Sequence, residues 1–291
     1  MIRVAGTEFD ADEGIHWLGT PASLDRAIVG EGIACLARLR DAFPVAPAFC
    51  VSAPPFEVFP RGVLGPWRDT LSRAYHRLGE VCGLYAPSVE VRSLLVEPPS
   101  VPSWVGRPWT FLNVSGEEAV GQAVTECLAP FFSDRARALR RRYGWPESVV
   151  REVIFIRRFN DSRIWATLSP AGALTGRPGD IKVRAGWGLH EQSVGHPLPA
   201  DEFIVSARRV ARSRIALKKD AVVADIGGVQ EFRVPSTLHR AAAVPEPLIH
   251  QMADLYHAVA AHMGEPAGLD LVAGEAGLEI LWCEPPEDPP P

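Results

Sequence analysis

The sequence of 291 residues predicts an α+β fold. Three features of its hydrophobic pattern point to this class. Some segments repeat apolar residues at helical spacing, other short runs are continuous or alternate as strands do, and the strands follow one another with only turns between them. Prolines cluster at residues 54–66, 98–108 and 285–291, and we interpret these three segments as connectors between the elements.

The first predicted elements are a helix and a strand. Residues 33–39 have helical spacing and follow the glycine-rich turn formed by residues 30–32. Residues 49–51, Phe-Cys-Val, then predict a strand. The sequence therefore indicates a glycine-rich turn that opens a helix and leads to a buried strand.

The next predicted helix follows the short apolar run at residues 111–114. Ser115 is followed three residues later by Glu118, which is the spacing of a capping box. We predict a helix that begins there and runs towards Tyr143.

The remaining elements are predicted to form an antiparallel sheet and a closing helix. Strand-like runs follow one another at residues 153–156, 164–168 and 181–185. Residues 247–263 carry an apolar stripe and predict an amphipathic helix. The runs at residues 269–271 and 278–281 then predict a hairpin that closes the sheet.

The composition limits the function classes. With 47% hydrophobic and 22% charged residues the chain can bury a large core. A net charge of −5 argues against a chain built to hold nucleic acid. No apolar run approaches the ~20 residues that cross a bilayer, and the amino-terminal segment does not resemble a signal peptide, so we expect a cytoplasmic protein without a membrane partner.

Seven short segments, taken in chain order, resemble motifs of one enzyme family. The family is that of pyruvate phosphate dikinase and phosphoenolpyruvate synthase, which includes rifampin phosphotransferase-like proteins. In chain order, the family's motifs are VGGKGANL, PVPPGFVVT, VAVRSS, TFLNV, ASWGLGE, HFGxP with DIEWA, and YILQARP. The segments that resemble them, in the same order, are residues 28–36, 44–51, 89–93, 110–114, 185–191, 262–271 and 280–285.

The resemblance implies an ATP-grasp module with two lobes around a nucleotide cleft. Residues 1–286 would form this module, with a lobe boundary near residues 100–110, and residues 287–291 would be a proline-rich tail. The family closes on MgATP and passes a phosphoryl group to a histidine on a separate domain. Neither that domain nor the family's substrate domain resembles any part of this sequence. We therefore expect a partner protein that supplies the phosphohistidine or substrate domain.

The resemblance also assigns ligands for ATP and Mg²⁺. It places Arg92, Ser93, Glu191 and Lys218 at the nucleotide and Asp270 at the metal. A bidentate guanidinium at Arg92 suits a phosphate, and the alternative is a structural arginine paired with a carboxylate. The family further implies that Arg92, Glu191 and Asp270 face one shared cleft. No catalytic residue is assigned.

Several family positions carry residues of the wrong chemistry. Glu31 stands where the family has a lysine, Trp282 where it has a metal-binding glutamine, and Glu284 where it has an arginine. Arg184 replaces an acidic residue. The loop after Arg92 has prolines where the family has the glycines that hold the triphosphate.

These departures favour a degenerate module without normal ATP-dependent phosphotransfer, acting as a binding or scaffold subunit. The alternative is an active ATP-dependent phosphotransferase with a rearranged site, which passes phosphate to a partner domain or a small molecule.

Overall fold

The computed structural model describes residues 14–52, 68–96, 109–144, 151–275 and 277–284. The three proline clusters, most of the loop after Arg92 and the proline-rich tail lie outside these ranges. The chain divides into two compact units. The first unit comprises Met1–Arg38 with Pro47–Phe159, and the second comprises Leu39–Ala46 with Asn160–Pro291.

The first unit contains a five-stranded antiparallel sheet in the order β1-β2-β5-β3-β4. Its strands are β1 (Ile15–Trp17), β2 (Ala48–Ser52), β3 (Val89–Val96), β4 (Thr110–Val114) and β5 (Arg151–Arg158). Its helices are α1 (Arg26–Val29), α2 (Glu31–Leu39), α3 (Arg68–Cys82), α4 (Glu117–Leu128) and α5 (Asp134–Tyr143). Residues of α3 and α4 share one hydrophobic core with alternate residues of β3 and β5.

The two units divide between Phe159 and Asn160. The lobe boundary predicted near residues 100–110 stays a prediction, because most of that segment lies outside the described residues. The strands on either side of it, β3 and β4, pair with each other in the sheet of the first unit.

The helix predicted to run from Ser115 to Tyr143 is two helices, α4 and α5. Pro130 lies between them, and a proline has no N–H with which to continue a helix. The predicted capping box is wrong, because Gly116 precedes α4 and the Ser115 hydroxyl instead donates to the carbonyl of Ala86. The side chain of Ser133 caps α5.

The second unit contains a six-stranded antiparallel sheet in the order β13-β12-β6-β7-β8-β9 and a separate hairpin, β10-β11. The strands are β6 (Ile164–Pro170), β7 (Ile181–Trp187), β8 (Asp201–Ser206), β9 (Arg209–Arg214), β10 (Asp220–Asp225), β11 (Gly228–Arg233), β12 (Gly268–Gly274) and β13 (Gly277–Glu284). The helices are α6 (Gly172–Thr175), α7 (Glu191–Val194) and α8 (Glu246–Met263).

These elements confirm the predicted α+β class, the long helix near the end of the chain and the closing hairpin of β12 and β13. One strand is placed differently from the prediction. β6 and β7 pair antiparallel as expected, but β5 belongs to the sheet of the first unit. Among the described helices, none is long and apolar enough to cross a membrane.

Candidate functional site

One face of the six-stranded sheet carries a row of polar residues, which we call the polar row. Trp282, Asp270, Thr167, Arg184 and Glu202 are direct neighbours on five successive strands. Residues that face each other on adjacent strands project from the same side of a sheet. The residues next to Asp270, Thr167 and Arg184 along the strands are buried and apolar: Ala166, Leu168, Val183, Ala185, Leu269 and Leu271. The sheet therefore has an apolar face and a face with a line of hydrogen-bonding groups.

Asp270, the predicted metal ligand, is bonded to two side chains within this unit. Its Oδ1 accepts a hydrogen bond from the Thr167 hydroxyl at 2.8 Å and lies 3.1 Å from His190 Nε2. His190 precedes α7, and its Nδ1 accepts from the Gln192 amide at 3.2 Å. An accepting Nδ1 carries no proton, so in neutral imidazole the ring proton is on Nε2, which hydrogen-bonds to the Thr167 hydroxyl oxygen at 3.1 Å and lies equally close to Asp270 Oδ1.

These residues do not fit Mg²⁺. A magnesium ion needs oxygen ligands in near-octahedral order, but Asp270 Oδ1 already accepts from the Thr167 hydroxyl and lies 3.1 Å from His190 Nε2. Trp282, opposite Asp270, presents an indole that donates to Glu284 Oε1 at 2.5 Å. The described residues contain no group of three or more His, Cys, Asp or Glu side chains that could hold a metal ion.

Glu191 is neutralised by the arginine that replaces an acidic family residue. The guanidinium of Arg184 donates to both carboxylate oxygens, at 2.5 and 3.3 Å, and the Leu198 amide donates to Oε2 at 3.1 Å. The Glu191 side chain is 13% exposed. Paired, partly buried and bidentate, this carboxylate is held in one orientation.

Trp165 packs against His190 and Gly186 beside this cluster. The indole is fully buried, and the His190 ring meets it edge-on at 5.1 Å between centroids. It also covers Gly186, where an added Cβ would lie 2.6 Å from Nε1 of the indole. Any side chain at position 186 would therefore displace the tryptophan that positions His190.

Gly188, directly after β7, contacts the backbone of Val222 in the β10-β11 hairpin. It has a φ of +82°, and a Cβ there would lie 2.1 Å from the carbonyl oxygen of Val222 on β10. The amide of Leu189 donates to that same oxygen at 2.8 Å. Only glycine fits this close approach of two backbones.

Lys218, a predicted nucleotide ligand, lies in a buried ion pair. Its ammonium donates to Asp201 Oδ1 and, at 3.2 Å, to the Ala216 carbonyl, and its side chain is 1% exposed. Asp201 also accepts from the amides of Ala216 and Ala243. This carboxylate therefore ties β8 to two later segments of the chain.

The predicted ligands of the first unit, Arg92 and Ser93, are neighbours on β3 and project from opposite faces of their sheet. Both are buried. Ser93 Oγ accepts from the Trp109 amide at 2.9 Å, and the hydroxyl hydrogen-bonds to Glu152. Burial raises the pKa of Glu152 to about 8, while the hydrogen bond from Ser93 and the charge of Arg140 oppose that rise.

Glu31, at the predicted lysine position, begins α2. Its half-exposed carboxylate forms an ion pair with Arg26 at 3.7 Å. The shared cleft predicted for Arg92, Glu191 and Asp270 draws on both units and stays a prediction, as do the nucleotide-binding roles of these residues.

The sequence did not single out Thr167 or Trp165, and it assigned no role to His190. For His190 a signal was present, because the matching position of the quoted motif ASWGLGE is glycine. Thr167 and Trp165 gave no such signal, since their part in the site depends on which strands lie side by side.

Comparison with known families gives one match that covers most of the chain. Residues 66–285 match the model of "Pyruvate phosphate dikinase, AMP/ATP-binding domain". The chain belongs to this family. The resemblance drawn from the seven motifs is therefore confirmed.

Curated members of this family share modest identity with the chain. A rifampicin phosphotransferase of Bacillus subtilis is 29% identical over 184 residues, which are 63% of this chain and 21% of the relative. A probable phosphoenolpyruvate synthase of Methanocaldococcus jannaschii is 23% identical over 98% of this chain and 28% of its own length. The chain thus spans between a fifth and a third of the relatives it matches.

Solved structures with a similar arrangement are D-alanine–D-alanine ligases. One from Bacillus anthracis covers 92% of this chain and 58% of its own, with 12% identity and a TM-score of 0.32. One from Coxiella burnetii covers 92% and 49%, with 11% identity and a TM-score of 0.36. These scores are too low to support an argument about function.

Proposed function

We propose that this chain is a degenerate ATP-grasp module of the family, which acts as a binding or scaffold subunit and lacks normal Mg²⁺-dependent phosphotransfer. The observation that carries the proposal is the bonding of Asp270. Its Oδ1 accepts from the Thr167 hydroxyl and lies 3.1 Å from His190 Nε2, so polar groups of the chain already contact one oxygen of the carboxylate that the resemblance assigns to a metal.

The charges around Asp270 support the same proposal. Glu191 is bound to Arg184, and Lys218 is bound to Asp201 with almost no exposure. A triphosphate that recruited Lys218 would leave Asp201 buried and unpaired, which costs about 3–5 kcal/mol in comparable cases. The charges of Glu191 and Lys218 are therefore satisfied within the second unit without a nucleotide.

ATP remains the ligand class that family membership favours. We propose that an adenine nucleotide, where it binds, binds weakly and without help from Mg²⁺. The relatives are named as transferases and synthases several times longer than this chain. We propose accordingly that a partner protein supplies the phosphohistidine or substrate domain.

Calorimetric titration with ATP, with and without Mg²⁺, tests this proposal. We expect weak or undetectable heats and no gain from the metal. Thermal shift provides a second measurement, because a ligand present at 100 times its dissociation constant stabilises a protein by about 2.7 kcal/mol. A large Mg²⁺-dependent shift, or transfer of the γ-phosphoryl group to any acceptor, would favour the rearranged phosphotransferase instead.

A variant can test whether the contacts of Asp270 are the cause. His190→Ala removes the ring nitrogen that lies 3.1 Å from Asp270 Oδ1 and should make nucleotide binding more sensitive to Mg²⁺. His257→Ala is the control, since His257 is exposed on α8. If both variants match the parent, His190 does not block the metal position.

A second variant restores two family residues together, Glu31→Lys and Trp282→Gln. The first removes a negative charge from the predicted phosphate site, and the second returns an oxygen opposite Asp270. Trp282 is 7% exposed, so its truncation costs about 3 kcal/mol or more and the fold must be checked. A folded double variant with no gain in MgATP affinity contradicts the lost-site explanation.

A further inference from the structure

β11 is an exposed edge strand. Within the described part of the chain it pairs only with β10, and every residue from Val229 to Arg233 is exposed. Phe232 is 49% exposed and Val229 is 41% exposed. An edge strand with unpaired backbone groups and apolar side chains is a template for another strand.

The edge at β9 is different and serves as an internal comparison. β9 carries three arginines in six residues, and all three are exposed. Charged side chains on an edge oppose the addition of a further strand. β11 therefore lacks the arginine-rich character that protects the other edge.

The register of the hairpin shows which backbone groups of β11 point outward. The Val234 amide donates to the Lys219 carbonyl at 2.9 Å, and this pair continues the register that joins Ala221 to Phe232. Hydrogen-bonded pairs in an antiparallel ladder recur every second residue. The backbone groups of Val229, Glu231 and Arg233 consequently face away from β10.

We propose that β11 binds the β11 strand of a second copy of this chain, antiparallel, around a two-fold axis at Phe232. Glu231 would then lie opposite Arg233 of the partner subunit, and both belong to the outward-facing set. Phe232 would face Phe232 of the partner subunit at a non-hydrogen-bonded position, where side chains approach most closely. Opposite charges and aromatic pairs both stabilise such cross-strand contacts.

Charge complementarity selects this register over its neighbours. An axis at Glu231 would place two glutamates opposite each other, and an axis at Arg233 would place two arginines opposite each other. An axis at Gln230 would pair Val229 with glutamate. Like charges directly opposite are destabilising. A contact confined to one short strand is small, so the dimer should be weak and dependent on concentration.

Sedimentation velocity over a wide range of protein concentration tests the proposal. The parent should pass from monomer to dimer, and Phe232→Lys should remain monomeric. Glu231→Arg alone should weaken the dimer about tenfold, because it removes two ion pairs per dimer. Ser213→Lys on the β9 edge is the matched control and should behave as the parent does. Circular dichroism checks that each variant is folded.

The register is tested by reversing the charges. Arg233 already forms an ion pair with Asp220, its neighbour on β10, at 3.0 Å, so the reversal includes Asp220→Arg. Glu231→Arg with Arg233→Glu and Asp220→Arg restores the complementary pairs and should recover the parent's dimer. A monomeric parent at every concentration overturns the proposal and leaves the edge to a strand of another protein. Association that Phe232→Lys does not change, or a folded triple variant that stays monomeric, overturns it as well.

Oxidative cross-linking gives an independent measurement. In the proposed dimer two Phe232→Cys residues face each other with Cα atoms about 4.5 Å apart, a distance that permits a disulfide. Two Gln230→Cys residues would be about 14 Å apart along the strands and could not bond. Cross-linking of the Phe232→Cys variant alone supports the register, and equal cross-linking of both variants contradicts it.

Discussion

Replacing Glu152 by glutamine should change how stability depends on pH. Glu152 is 4% exposed, and among the described residues its Oε2 has no hydrogen-bond partner. The hydroxyl of Ser93 bonds to this carboxyl, so the substitution also probes a residue that the sequence assigns to the nucleotide. Glutamine keeps the shape of the side chain and removes its ionisation.

The expected magnitude follows from the raised pKa. Burial moves the pKa of Glu152 from 4.5 to about 8, so the folded state holds a proton that the unfolded state has lost between these values. Folding therefore becomes less favourable as pH rises through this window, and the loss is complete above the folded-state pKa. The full effect is at most about 5 kcal/mol. Below the unfolded-state pKa both states are protonated and there is no effect.

Urea denaturation of parent and variant from about pH 4 to about pH 9 measures this difference. All other titrating groups are common to both proteins and cancel in the comparison. The stability of the parent relative to the variant should fall as pH rises. Glu118→Gln, at an exposed position of α4, should show no such trend. A difference between parent and Glu152→Gln that stays within about 1 kcal/mol across the range refutes the argument.

The remaining predictions concern the second unit. Gly186→Ala should lower the free energy of unfolding, measured by urea titration, by about 1–3 kcal/mol, because the new methyl group meets the Trp165 ring. Gly228→Ala is the control and should be close to neutral in the same titration, because a Cβ there meets nothing within 4 Å. Lys218→Met should cost about 3–5 kcal/mol by leaving Asp201 buried and unpaired. Adding Asp201→Asn to Lys218→Met should recover part of that loss, and a double variant weaker than the single one would contradict the ion-pair explanation.

Much of the fold was predictable because its signals are local. The helical spacing of residues 33–39 lies within α2, and the paired apolar runs after residue 268 form the β12-β13 hairpin. The capping box at Ser115 failed because Gly116, not Ser115, is the residue that precedes α4. The Ser115 hydroxyl donates to the carbonyl of Ala86, which is distant in sequence.

The site was less predictable because its contacts are long-range. Thr167 and Asp270 are 103 residues apart and meet only because β6 and β12 are adjacent in a defined register. No hydrophobic period encodes that pairing. The sequence could identify which family residues had changed, such as Arg184 and Trp282, but not that His190 and Thr167 hold Asp270.

The close contact at Gly188 has a consequence for how the sequence is compared with others. A chain that binds no nucleotide at all would still require glycine here, because any Cβ would collide with the Val222 carbonyl. A glycine shared with other sequences at position 188 therefore reflects the contact between the end of β7 and β10. It gives no information about phosphate binding. Position 282 is different, because the resemblance places a metal-binding glutamine where this chain has the buried Trp282, so a comparison at that position does bear on the metal site.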